Sequence, residues 1–343
     1  MATLPKVQVF NKKNPVKSKP GLASKIAVIG AFEEDVTDPV LCVNIDEAHE
    51  KLGTDKTYNG VSCLEYLFYG ASSVLAVNTT SRSGSGANVS IDKSLTPDKL
   101  TTALSKISGE DYDMIYIAEI IPSTLIGIIT KFLDNRYLNK FPTGYVCYKD
   151  FEANLAGNFC YGLITQKLTV NGTLLSEVDS GAYYCGLLAS LNVGNSMTMK
   201  VVPQVTGIEP ELSFETGQPG ATLLADGVTL FKCQDRANDK YVVVNSELPN
   251  GYDLYINRTR DFVVKEMSLH QFLGDKNRQA TLNEIKQELD RVKDRCVNTL
   301  DLLEDIEYNV VKKSPSCVDI NITKLLFAGI ITEIDVYITI EVE

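Results

Sequence analysis

Between residues 25 and 191, short apolar runs alternate with capped helical segments, and that alternation decides the fold class. Residues 26–29, 39–43, 73–78, 114–118 and 144–148 have the length and β-branched content of buried strands. Asn44, with Glu47 three residues on, starts a short helix that ends at Gly53. A second helix covers 61–69 and stops at Gly70. Thr96 caps a third, Pro97 takes its first position and Gly109 follows its last turn. Two more are expected over 123–138, just after Pro122, and over 180–191. Strands and helices alternating at this interval predict an α/β fold with a mostly parallel sheet. The stretch 163–174 reads instead as a hairpin that turns at Asn171 and Gly172.

From Val202 to Gly220 the chain is rich in Pro and Gly, which marks a domain boundary. Residues 228–233 and 240–245 then pair as a hairpin, and a helix covers 262–273. The strongest helical periodicity spans 282–308. Leu282, Ile285, Leu289, Val292, Cys296, Leu303 and Ile306, with Thr299 in the one polar slot, recur at spacings of three and four, behind a capping box of Thr281 and Glu284. This places Asp301, Glu304, Asp305 and Glu307 at a helix C-terminus, where the macrodipole disfavours anions by roughly 0.3–1 kcal/mol each. A basic partner is expected to compensate them.

The two ends differ from this body and from each other. Residues 1–25 carry six lysines and no acid, and Pro15, Pro20 and Gly21 resist a packed local fold. They read as an arm with a short alternating stretch at Lys6, Val7, Val9 and Phe10, followed by Lys12 and Lys13. The last eleven residues carry four acids and no base. There Ile334, Val336, Ile338, Ile340 and Val342 alternate with polar residues and Tyr337, as in a strand with one buried face. At about 3.4 Å per residue such a strand spans about 35 Å. An extended arm of some 20 residues reaches up to about 65 Å, against a radius of gyration of about 20 Å for a globule of this length. Both arms can therefore leave the globule and pair with another copy, basic end to acidic end.

Nothing in the sequence recommends an enzyme. Gly84 and Gly86 lack the third glycine of a dinucleotide loop and the Gly-Lys-Ser/Thr of a phosphate loop, so a flexible turn is expected there. The two histidines, His49 and His270, sit in helical segments with no nucleophile elbow anywhere. The eight cysteines form no CxxC pair and mostly lie in apolar runs, as small buried hydrophobes do. A net charge of −11 argues against general nucleic-acid binding. No apolar run reaches membrane-spanning length, and the charged N-terminus does not read as a signal peptide. No cofactor or metal is expected.

The order of elements resembles that of contractile phage tail sheath proteins, most closely the compact sheaths of small contractile tails and phage-derived bacteriocins. The resemblance begins with Lys25-Ile-Ala-Val-Ile-Gly30, Thr37-Asp-Pro-Val-Leu-Cys-Val43, a helix closing on Leu52 and Gly53, and Val74-Leu-Ala-Val77. It continues through Ser180-Gly-Ala-Tyr-Tyr-Cys-Gly-Leu-Leu-Ala189, Gly227-Val-Thr-Leu-Phe231 and Tyr241-Val-Val-Val244, and ends at Tyr337-Ile-Thr-Ile-Glu-Val342. It covers nearly the whole chain, without the large outward insertion of bigger sheaths. It implies an N-terminal arm (1–24), an outer α/β domain (25–205), an inner, tube-proximal domain of sheet and helix (206–332) and a C-terminal strand arm (333–343). It also implies six-fold rings stacked around an inner tube, linked by arm exchange, with baseplate and terminator or collar proteins at the ends. Such a particle is a virion tail or tail-like machine assembled in a bacterial cytoplasm, and it contracts without consuming a nucleotide. The alternatives are a soluble α/β enzyme with an unrecognised site, or another tail or capsid component.

Overall fold

The computed structural model describes residues 24–84, 89–139, 141–148, 159–248, 251–267, 269–272, 275–314 and 317–327. Chain order begins with β1 (Lys25–Gly30), β2 (Val40–Cys42), α1 (Ile45–Leu52), α2 (Asn59–Leu67) and β3 (Ser73–Asn78). A small exposed hairpin, β4 (Ser81–Ser83) and β5 (Ser90–Asp92), leads to α3 (Pro97–Lys106). Then follow β6 (Met114–Ile120), α4 (Ser123–Leu138), β7 (Gly144–Tyr148) and β8 (Cys160–Ile164). The chain continues through β9 (Lys167–Val170), β10 (Thr173–Leu174), α5 (Glu177–Ser190), β11 (Val205–Glu209) and α6 (Pro219–Ala225). Next come β12 (Phe231–Asp235), β13 (Lys240–Val243), α7 (Leu254–Glu266) and α8 (Gln279–Asp294). The described chain closes with β14 (Asp305–Ser314) and β15 (Cys317–Leu326).

The α/β expectation holds. Six strands form one sheet in the order β2-β3-β1-β6-β7-β8, parallel except for the edge strand β2. Its central strand is apolar at every pleat because both faces are covered. Ile26 and Val28 point into a layer built from α1, α2 and α5, while Ala27 and Ile29 point into one built from α3 and α4. The caps read from the sequence are in place. Asn44 Oδ1 accepts from Glu47 N at 2.8 Å, Glu47 returns a bond to Val43 N at 2.8 Å, and Thr96 caps α3 with Pro97 in its first turn.

The layer under α5 depends on a close helix approach. A Cβ on Gly186 would lie 2.0 Å from Tyr66 O, so only glycine lets α5 cross α2 at this distance. The turn between β9 and β10 is the expected one, with Asn171 at φ 49° and Gly172 at φ 79°. The hairpin is shorter than 163–174, because Leu163 and Ile164 end β8 in the main sheet, where Leu163 pairs with Cys147.

The hydrophobic core runs through the Pro/Gly-rich stretch. Val202, Val205, Phe231, Tyr241, Val243 and Leu254 are buried in the same cluster as Ile26 and Leu188. Beyond α7 the packing breaks into smaller clusters, one around Val263, Val292 and Leu303 and another around Ile285, Leu289 and Val310.

Two helix expectations are corrected. The helix expected over 262–273 lies earlier, at Leu254–Glu266, capped by Asp253 accepting from Tyr255 N at 3.0 Å. The long helix expected over 282–308 ends at Asp294, and a π-helical turn over Arg295–Thr299 closes it. It starts at Gln279, so Thr281 and Glu284 do not form a capping box. The Thr281 hydroxyl donates to Lys276 O at 2.8 Å instead. Leu282 to Cys296 do lie on one helix face. Asp301 then takes a left-handed conformation, at φ 54°, and the chain leaves as β14. The period changes there: Ile306 and Val310 are buried while Glu307 and Asn309 are exposed, which is strand alternation.

Candidate assembly surfaces

The last described elements form a helix-backed hairpin. β14 and β15 pair antiparallel from Asp305 opposite Leu326 to Ser314 opposite Cys317, with bulges after Glu307 and Lys312. Val310, Val318 and Ile320 pack against Leu282, Ile285 and Leu289 of α8. The Tyr308 hydroxyl donates to Asp290 Oδ1 at 2.5 Å, and Lys293 Nζ lies 2.7 Å from Asp305 Oδ1. Arg295 reaches back to Glu266 at 2.5 Å, tying the end of α8 to α7.

Among the described residues, neither strand of this hairpin pairs with any other strand. The outer edges of these two strands, of 10 residues each, have no neighbouring strand among the described residues. Two-stranded ribbons are marginal alone and gain from added strands. The segment read as a terminal strand, residues 333–343, lies outside the described residues.

The four acids read at a helix end are not at one. Asp305 and Glu307 belong to β14, Asp301 and Glu304 to the turn before it. Among the described residues, Lys293 lies 2.7 Å from Asp305 and Lys324 3.2 Å from Glu307. The Lys293 bond holds the Asp305 carboxyl below its usual range. The predicted arm residues, Lys6, Val7, Val9, Phe10, Lys12 and Lys13 at one end and Ile334, Val336, Tyr337, Ile338, Ile340 and Val342 at the other, lie outside the described residues.

A second surface lies where the first described residue, Ser24, enters the globule. Lys25 N donates to Asp113 Oδ2 at 2.9 Å and Lys25 Nζ to Asp111 Oδ2 at 2.7 Å. Lys265 of α7 closes the set, 2.6 Å from Asp113 Oδ1. Behind them α7 carries a buried charged group. Arg260 makes a forked contact with Asp261 Oδ1 at 3.0 and 2.9 Å, and the Tyr161 hydroxyl donates to Asp261 Oδ2. Burial pushes the Asp261 carboxyl above its usual range. Arg258 is 4% exposed; its Nη2 donates to Leu191 O at 3.3 Å and approaches Ser24 Oγ at 3.5 Å, while its Nη1 has no partner. A cavity of about 130 Å³ opens between these side chains. Groups distant in sequence, Ser24, the Leu191 carbonyl and Tyr161, surround these charges.

In parallel sheets, ligands favour the carboxyl edge where the strand order reverses. Here that point lies beyond β1, which is flanked by β3 and β6. It is filled: Phe32 is fully buried, its N–H donates to Asn78 Oδ1 at 3.1 Å, and a Cβ on Gly60 would lie 2.7 Å from its ring. Gly84, at φ 98°, ends the exposed strand β4. His49 is half-buried on α1, and His270 falls in a one-turn helix at Leu269–Phe272. Six of the cysteines are buried, Cys233 is half-buried and Cys317 exposed. Among the described residues no group of His, Cys, Asp and Glu could hold a metal ion, and no helix is long and apolar enough to cross a membrane.

No protein-family model matches the sequence, and no curated relative does. Solved structures do. The sheath tail protein of Desulfitobacterium hafniense superposes with a TM-score of 0.71 at 11% identity, covering 90% of this chain and 96% of that one. The sheath tail protein of Listeria innocua gives 0.64 at 12%, covering 89% and 96%. A chain in the six-fold symmetrised baseplate of the anti-feeding prophage gives 0.69 at 12%, covering all of both chains. The fold of this chain is that of sheath tail proteins.

Proposed function

We propose that this chain is the structural subunit of a contractile tail sheath, in a phage tail or a phage-tail-like particle. The observation that carries the reading is a sheath fold shared over nearly the full length of both chains. One such neighbour is a helical sheath captured in a contracted state. The subunit stacks as six-fold rings around an inner tube, in an extended metastable form, and contraction drives the tube through a target envelope. Its partners are further copies of itself, the tube protein, the baseplate and the terminator or collar proteins. The role is mechanical, without catalysis, cofactor or nucleic acid, and assembly takes place in the bacterial cytoplasm.

Rings are joined by exchange of the terminal arms. The open edges of β14 and β15 support this, because an added strand satisfies their main-chain groups. Each bond contributes about 1 kcal/mol net, so several per arm hold a link while the globules pivot. The basic arm, with Lys6, Lys12 and Lys13, and the acidic terminal strand then favour head-to-tail register.

Negative-stain microscopy of the purified chain tests the reading. Hollow striated polymers are expected, and only small particles from intact protein would overturn it. Deleting residues 1–20 or 333–343 should leave a folded monomer that does not polymerise. Polymers surviving both deletions would reject arm exchange while leaving the sheath reading standing.

A further inference from the structure

We propose that the cavity at the amino edge of the sheet is a binding site for a single carboxylate group, received by Arg258. Every other charge of this surface is neutralised within it. Asp113 faces Lys265, Asp111 faces Lys25, and Asp261 faces Arg260 and the Tyr161 hydroxyl. Of these charges Arg258 alone has no carboxylate within ion-pair distance among the described residues, yet it is 4% exposed and its Nη1 makes no hydrogen bond. A buried guanidinium without a directly bonded anion is costly, and one acceptor anion at Nη1 lowers that cost.

The chemistry of the walls selects the anion. One positive charge is uncompensated, so one negative charge fits. A dianion such as phosphate would leave one negative charge in excess beside Asp113 and Asp261, which also line the cavity. The unpartnered Nη1 donates to one carboxylate oxygen, and the planar guanidinium keeps Nη2 on Leu191 O at the same time. Met114 and Phe262 supply an apolar wall for a short aliphatic stem. The volume, about 130 Å³, resembles that of cavities of about 150 Å³ that admit benzene, so it excludes a nucleotide and suits acetate or an Asp or Glu side chain.

Ser24 lines this cavity and also approaches Arg258, so an occupant lies against the first residue after segment 1–23. Two sources share the chemistry: a small free carboxylate, or an acidic side chain of a second copy. The second source rests on the sheath reading; the first does not.

The test is guanidinium nitrogen NMR of Arg258 in the intact chain, assigned with Arg258→Lys. In dispersed protein, sodium acetate should shift the Arg258 signals saturably, and sodium chloride at matched ionic strength should not. If acetate has no effect but the same signals shift on polymerisation in acetate-free buffer, the carboxylate comes from a second copy. Saturable acetate binding with no change on polymerisation assigns the site to a free carboxylate, whether or not the sheath reading survives. Signals that respond to neither leave the cavity as a water site and overturn the proposal. Arg258→Lys keeps the charge but loses the fork, and should weaken acetate binding at least tenfold. A Lys variant that binds acetate as tightly as the native chain would also overturn it.

Discussion

The Tyr161 hydroxyl donates to the Asp261 carboxylate, joining β8 of the central sheet to α7 across 100 residues of sequence. Both groups are buried, so neither can turn to water if the other is lost. Tyr161→Phe keeps the ring and removes only the donor. It should destabilise the dispersed chain by about 1–3 kcal/mol, the usual result of orphaning a buried acceptor. Urea unfolding measures it. A loss below a few tenths of a kcal/mol would mean that Asp261 finds another donor.

The same carboxylate sets a pH dependence. Burial raises the Asp261 pKa in the folded chain, against the opposing effects of Arg260, Tyr161 and Lys265. The native state therefore keeps a proton that the unfolded chain releases near the ordinary Asp value of about 3.9. Between that value and the raised one the native state binds more protons, so this residue makes stability fall as pH rises through the window. Asp261→Asn should flatten the stability profile there. A steeper decline with pH in the variant would reverse the assignment.

Arg136 should prove the most sensitive charged residue of the outer layer. Its guanidinium donates to Ile107 O at 3.2 Å, Ser108 O at 2.8 Å, Glu110 O at 3.0 Å and Thr143 Oγ1 at 3.0 Å, and lies 3.9 Å above the Tyr112 ring. It thereby satisfies the Ser108 and Glu110 carbonyls past the end of α3, and shares Ile107 O with the Glu110 N–H. Arg136→Ala should cost about 3–5 kcal/mol, by analogy with removing one partner of a buried charged network. Arg136→Lys should recover less than half, because one ammonium cannot span four acceptors. Full recovery by Lys would show that charge, not the fork, matters.

The crossing of α2 and α5 yields a steric prediction. Gly186→Ala places a methyl 2.0 Å from Tyr66 O, which is backbone and cannot rotate away. Overpacking of this kind costs about 1–3 kcal/mol or more. Calorimetry of the variant should show a lower Tm. Gly109→Ala, where a Cβ meets nothing within 4 Å, is the matched control and should leave Tm nearly unchanged.

The salt-linked end of α8 should matter little by itself. Lys293 and Asp305 are 39% and 34% exposed, and such pairs contribute about 0–1 kcal/mol. Lys293→Ala should therefore leave unfolding within about 1 kcal/mol of the native chain. A larger loss would point to a role for Lys293 in seating β14 on the helix.

The α/β layering was legible because local signals and burial agree there. Asn44, Thr96 and Pro97 act within one turn, and the apolar runs of β1, β3, β6 and β7 are apolar because both sheet faces are covered. The sequence by itself also determined the alternation of strand and helix, from which the parallel sheet follows. It could not place the end of α8. Leu303 and Ile306 continue the helical spacing by coincidence, and only the clusters that bury them, with Val263 and Val292, show that the chain has already turned. Nor could it reveal the hairpin of β14 and β15, since strands are stabilised by partners distant in sequence, here Ile320 against Val310 and α8 behind both. The charged set on α7 was equally hidden. Arg258 and Asp261 sit on a helix whose exposure is decided by the sheet packed over it, and solvation of a charge is a property of the assembled fold, not of its neighbours in the chain.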